Sequence, residues 1–244
     1  MTKVVISQPM YFPWYGHLEQ IKHCDIYVFY DDVQFSKGSF FNRIQLKSGN
    51  HQTWMTVPLL PGSLSEAINE RIPHEAKSWR EAHLRLFTRL YKSAPFFAPA
   101  LSVLENVLES HPKGGNLASL SELSTIAMAK AFGITHVRYL KSSELDIKGC
   151  STQRVLDICS RLDATEYITG HGAKKYLDHN LFEDHGISIS YIAYGGKPYP
   201  QHGTDTFMPY VSSLDCLANC GSNASNYLSG TLVSWKEFLN KSHS

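Results

Sequence analysis

The sequence has almost no charge imbalance: 23 Lys and Arg face 22 Asp and Glu, a formal net charge of +1 across 244 residues. A general binder of polymeric DNA needs a basic field, so that partner is not expected. Cysteine is sparse, with Cys24, Cys150, Cys159, Cys216 and Cys220 widely spread and no C-x-x-C pair. An odd, scattered set without a secretory leader implies reduced thiols. The N-terminus runs straight into a strand pattern, without the charged and apolar regions of a leader. No apolar run approaches the roughly 18 residues of a membrane span. Together these absences lead to the expectation of a soluble cytoplasmic protein. Metal motifs are missing too: His17 and His23 are six apart, no H-E-x-x-H or H-x-H occurs, and Cys216 and Cys220 have no neighbouring His/Cys pair. No metal site is therefore expected. A G-x-S-x-G elbow, a Walker loop and a G-x-G-x-x-G fingerprint are also lacking, which removes support for nucleophilic hydrolysis and for the common nucleotide motifs.

What is present reads as a folded α/β protein, with 43 % hydrophobic and 18 % charged residues. Residues 3–7 (KVVIS) form a buried strand pattern, 17–23 a short helix and 25–35 a second strand, which suggests a βαβ unit with a parallel sheet. Residues 40–60 read as a hairpin turning at Ser48-Gly49-Asn50. After a loop at 61–65, helical spacing covers 79–91, is interrupted by Pro95 and Pro99, and resumes over 100–110. A turn at 111–116 leads to a helix over 117–132 ended by Gly133. A strand follows at 136–145, then a helix at 151–162 with Ser151 or Thr152 as its cap. Residues 166–178 read as strand, glycine turn and helix, and 187–194 alternate as a strand. The expectation is one α/β domain spanning 1–244, Rossmann-like with a mainly parallel sheet, a short hairpin and a helical insertion at about 61–133.

Three stretches carry chemistry. The strand VVIS breaks into QPMYFPWYGH, placing Gln8, Tyr11, Trp14 and His17 at the carboxyl edge of the sheet, where open α/β folds bind ligands. Pro13 fixes the backbone and Gly16 allows close approach. The aromatics suit a nucleotide or sugar pocket wall; they would equally serve as a plug over the sheet. Next come Asp31 and Asp32 at the end of the second strand, where alternation sends only one into a cleft. That carboxylate could hold a sugar hydroxyl or Mg²⁺, or act as a base on an amine; a solvated cap is the alternative. Gln34, Lys37, Asn42 and Arg43 follow with amide and cationic donors suited to phosphate, or to an ordinary charged hairpin surface. The third stretch, TGHGAKKYLD, sets Gly170 and Gly172 in a turn after a strand, with Lys174 and Lys175 opening a helix. Such turns receive anions through free N–H groups. His171 could donate a proton there.

Five segments in order (ISQPMYFPWYGHLEQI, DIYVFYDDVQFSKGSFFNRI, WMTVPL, YITGHGAKKYLD and YPQHGTDTFMPYVSSLDCLANCG) resemble the WbqC-like protein family from residue 4 to about 221. The resemblance implies a glycine transferase of bacterial O-antigen and lipopolysaccharide clusters, acylating an amino sugar that is nucleotide-linked. It also marks departures. The family usually has an aromatic at His17, a proline at His171, and N-R-N-R where this chain reads Asn42-Arg43-Ile44-Gln45. The W-x-G-H turn further resembles the H-x-G-H turn of nucleotidylyl-transferase folds, whose ligases pass an acyl-adenylate to an amine. That likeness implies ATP with Mg²⁺ as candidate cofactor, with Gln8 and the 11–17 turn around the nucleotide, Lys174 and Lys175 on phosphate, and Asp32 on the acceptor amine. Two alternatives stay open: a non-catalytic sugar-nucleotide-binding accessory protein, and a tRNA-dependent aminoacyltransferase.

Overall fold

A computed structural model describes residues 1–63, 65–203 and 206–241. Its main sheet contains β1 (Lys3–Ser7), β2 (Ile26–Phe29), β5 (Arg138–Lys141), β6 (Glu166–Thr169), β7 (Ser188–Ala193) and β8 (Thr231–Ser234). The strands lie in the order β5-β2-β1-β6-β7-β8, all parallel except the antiparallel edge strand β8. A separate antiparallel hairpin pairs β3 (Arg43–Ser48) with β4 (His51–Thr56). Eight α-helices occur among the described residues. The fold is α/β and Rossmann-like.

Alternation along the strands builds two cores. Val5, Tyr27, Phe29 and Ile168 point to one face, where α1 (Tyr15–Lys22) contributes Leu18 and Ile21. That side is deepened by α2 (Trp79–Tyr91), α3 (Phe97–Ser110) and α4 (Leu117–Ala131), and by α7 (Ser213–Cys220). Val4, Ile6, Ile26, Val28 and Tyr167 point to the other face, against Val155, Ile158 and Cys159 of α5 (Ser151–Arg161) and Phe182 of α6 (His179–Asp184). Each large side chain so buried contributes about 1.5–3 kcal/mol. Helices α2–α4 fall between β2 and β5 in the chain. No helix among the described residues is long and apolar enough to cross a membrane.

Several expected boundaries move, each for a local reason. The second strand stops at Phe29: Tyr30 N still donates to Ser7 O (2.8 Å), but Asp31 O then accepts Asn69 N (3.0 Å) and the chain leaves the sheet. The strand expected at 136–145 has only four residues, because Ser142–Glu144 wind into a 3₁₀ turn. Neither Ser151 nor Thr152 caps α5. Cys150 takes the cap position, Ser151 has φ +54° and Thr152 Oγ1 donates to Tyr176 O instead. The segment after β6 is a 3₁₀ helix, His171–Lys175, and α6 begins only at His179, where Asp178 caps it. Pro99 does not interrupt α3. It sits in the first turn, where its missing N–H is not needed. Within the 61–65 loop, Leu64 lies outside the described residues, as do Thr204 and Asp205 of the late YPQHGTDTF stretch.

Candidate functional site

Strand order reverses between β1 and β6, the switch point at which open α/β sheets leave a crevice. A cavity of about 780 Å³ opens there, at the carboxyl ends of β1, β2 and β6. Ser7 and Gln8 enter from β1, Tyr30, Asp32 and Gln34 from the end of β2, and Thr169, Gly170 and Gly172 from β6. Trp14, at the cap of α1, joins His17 and Gln20 of that helix, while Gly149 and Cys150 precede α5 and Ser151 and Arg154 belong to its start.

The charged centre of this cavity is an ion pair. Arg154 Nη2 lies 2.5 Å from Asp32 Oδ2, and Ser142 Oγ donates to Asp32 Oδ1 at 2.6 Å. Arg154 is held in turn by Ile147 O (2.9 Å) and lies over the Tyr30 ring at 4.9 Å. Burial alone would raise the Asp32 carboxyl, but the hydrogen bonds from Arg154 and Ser142 outweigh it and hold it below the usual carboxylate range. Asp32 is therefore ionised at neutral pH. The first turn of α5 carries no side-chain cap, so its N–H groups and the helix dipole add positive potential beside Arg154.

The aromatic run separates by role. Tyr11 and Phe12 are fully buried; Tyr11 Oη meets His83 Nδ1 at 3.1 Å. Phe12 has φ +37°, a left-handed backbone that needs support. Ser124 Oγ accepts Phe12 N (2.9 Å), Ser212 Oγ donates to Phe12 O (2.8 Å) and Ser213 Oγ to Pro13 O (2.5 Å). The SSLD sequence at 212–215 thus pins the turn it lies far from in the chain. Trp14 instead faces the cavity and packs on Tyr194 at 4.9 Å. Its indole lies against Gly16, where an added Cβ would fall 2.2 Å from the ring. Gly16 therefore makes room for Trp14 rather than for a ligand. Gly170 has a parallel task, because a Cβ there would lie 2.7 Å from Gln20 Nε2, which donates to Tyr194 Oη (2.6 Å).

His17 is buried, with Nε2 2.7 Å from Tyr27 Oη, and burial pushes its pKa down to about 4. Burial does the same to His83, with Thr56 O working against it. An unfolded histidine titrates near 6.5. As pH falls from about 6.5 to about 4 the unfolded chain takes up protons that the folded chain refuses, so stability declines across that window. Urea unfolding at pH 7.5 and pH 5 is expected to show the decline, and His17→Phe to make it smaller. An unchanged pH slope in His17→Phe excludes a buried neutral imidazole.

Seven of the expected site residues meet at the cavity: Gln8, Trp14, His17, Asp32, Gln34, Gly170 and Gly172. The others lie elsewhere. Asp31 is 2 % exposed and bound by Ser143 N (3.0 Å), Ser143 Oγ (2.7 Å) and Ser142 Oγ (3.1 Å). Tyr11 belongs to the core. Asn42 Nδ2 donates to Val57 O (2.9 Å), and the Arg43 guanidinium lies 4.1 Å over Trp54 on the hairpin. Lys37, Lys174 and Lys175 are exposed and outside the cavity lining. The short 3₁₀ turn, in place of an α-helix, aims both lysines outward. His171 Nε2 donates to Ile192 O (2.9 Å). Sequence reasoning missed Arg154, Gln20, Tyr30, Tyr194 and Ser142. Arg154 left a signal, since it is a cation on the face of α5 that also carries Val155 and Ile158. No cluster of three or more His, Cys, Asp or Glu suited to a metal occurs among the described residues.

The "Uncharacterized protein Rv1507c" of Mycobacterium tuberculosis is 31 % identical over 231 residues, covering 93 % of this chain and 98 % of that one. No solved structure matches. The model of the WbqC-like protein family matches residues 8–227, a span that includes the aromatic turn, the Asp32–Arg154 pair and the SSLD brace, and the chain belongs to that family.

Proposed function

We propose that this protein transfers an activated glycyl group to the amine of a nucleotide-linked amino sugar, in the cytoplasm, for surface-polysaccharide assembly. The observation that carries the reading is Asp32, an ionised carboxylate held by Arg154 inside a cavity of substrate size. Asp32 accepts a hydrogen bond from the amine and orients its lone pair toward the glycyl carbonyl. A C–N bond forms, the bond from the carbonyl to its leaving group breaks, and the proton lost by nitrogen passes through Asp32 to that leaving group. Arg154 and the first turn of α5 offset negative charge on the leaving group or on a substrate phosphate. With Lys174 and Lys175 outside the cavity, phosphate contacts fall to these two elements.

The test is incubation of the pure protein with a nucleotide-linked amino sugar and either glycine with ATP and Mg²⁺ or glycyl-tRNA. Amide product under either condition is the expected result. Product with ATP alone identifies adenylate activation, and product with glycyl-tRNA alone identifies a tRNA-dependent aminoacyltransferase. No amide with either donor overturns the reading. A second reading, a non-catalytic sugar-nucleotide-binding accessory protein, is favoured by one observation. Both Asp32 oxygens already accept hydrogen bonds, one from Arg154 and one from Ser142.

A further inference from the structure

Trp14 and Tyr194 wall the switch-point cavity on one side and a second recess of about 720 Å³ on the other. This recess lies among Tyr15, Pro209, Tyr210 and Phe238, and no Asp, Glu, Lys or Arg lines it. Its mainly aromatic surface, in which His171 is the one imidazole, suits a flat, uncharged ring. Tyr210 is 62 % exposed although its ring sits only 5.6 Å from Trp14, so a large aromatic face stands open to solvent.

We propose that this recess binds the heterocyclic base of a nucleotide, stacked against the exposed ring of Tyr210 beside Trp14. A pyranose fits less well, because its several hydroxyls would face a mainly aromatic lining. The proposal rests on the reading that the substrate is nucleotide-linked. The ligand then straddles the Trp14–Tyr194 wall, with its base in the recess and its charged portion in the cavity near Arg154.

Calorimetric titration with plain nucleosides (uridine, adenosine, guanosine) tests the base alone, without phosphate or turnover. At least one is expected to bind the intact protein. Tyr210→Ala is expected to weaken that binding roughly five- to hundredfold, the range for loss of one base–aromatic stack. Failure of all nucleosides to bind, unchanged affinity in Tyr210→Ala, or binding of a methyl pyranoside in their place overturns the proposal. Acylation of an amino sugar 1-phosphate separates the two ideas. If it proceeds while nucleosides do not bind, the base subsite falls and glycyl transfer stands.

Discussion

Replacing Asp32 by Asn is expected to lower turnover roughly 10²- to 10⁴-fold, the range for loss of a positioned acid–base group. Affinity for the nucleotide-linked substrate should change much less, because the stacking and phosphate contacts remain. Asn keeps an oxygen for Arg154 but loses the charge, and Arg154 is only 8 % exposed at its side chain. Some stability is therefore lost as well, about 1–3 kcal/mol. Steady-state kinetics and ligand titration on the same sample separate the effects. A kcat within threefold of the unchanged protein removes Asp32 from the chemistry. Turnover absent from both proteins, with equal ligand affinity, supports the accessory-protein reading. Asp31→Asn is the informative control. Asp31 holds the Ser142–Ser143 turn rather than the cavity, so its loss should appear first in stability.

Glu19→Gln is expected to destabilise the fold by about 3 kcal/mol, lowering Tm by roughly 6–12 °C for a chain of this size. Glu19 is 1 % exposed. Its Oε1 accepts Ser229 N (2.9 Å) and Gly230 N (2.8 Å), and its Oε2 accepts Gly195 N (3.2 Å). A glutamine must turn an NH₂ group toward at least one of these N–H donors, leaving it unsatisfied in a dry interior. Gly230 has no room for adjustment, since a Cβ there would lie 2.6 Å from Glu19 Oε2. These loops flank Tyr194, so substrate affinity should fall together with stability. Thermal denaturation gives the result directly, and a loss below about 1 kcal/mol excludes the three-donor anchor.

Local pattern carried a large share of the fold. Helix α2 falls on residues 79–91 as its apolar spacing requires, and the hairpin turns at Gly49, whose φ of +59° suits glycine. β1 and β7 were legible because β-branched and aromatic residues there are buried on a two-sided sheet. The 3₁₀ turns at 142–144 and 171–175 were not legible. Each is stabilised by distant partners, as when Asp31 binds Ser143 across a separation of 112 residues. Arg154 shows the same limit at the site, since its partner Asp32 is 122 residues away.

By itself the sequence determined the α/β class, the family, and an aromatic turn opening onto the end of the first strand. The class and the turn follow from periodicity and composition within short windows, where backbone preference and burial act locally, whereas the family follows from the resemblance of whole motif segments. Only the tertiary structure decided which residues share a cavity. It sent Tyr11 and Phe12 into the core and Trp14 to the wall, kept Asp32 and withdrew Asp31, and turned Lys174 and Lys175 outward. The reason is that side-chain direction is set by packing and by hydrogen bonds between segments remote in sequence. QPMYFPWYGH could announce a site, but Ser124, Ser212 and Ser213 fix the turn that forms it.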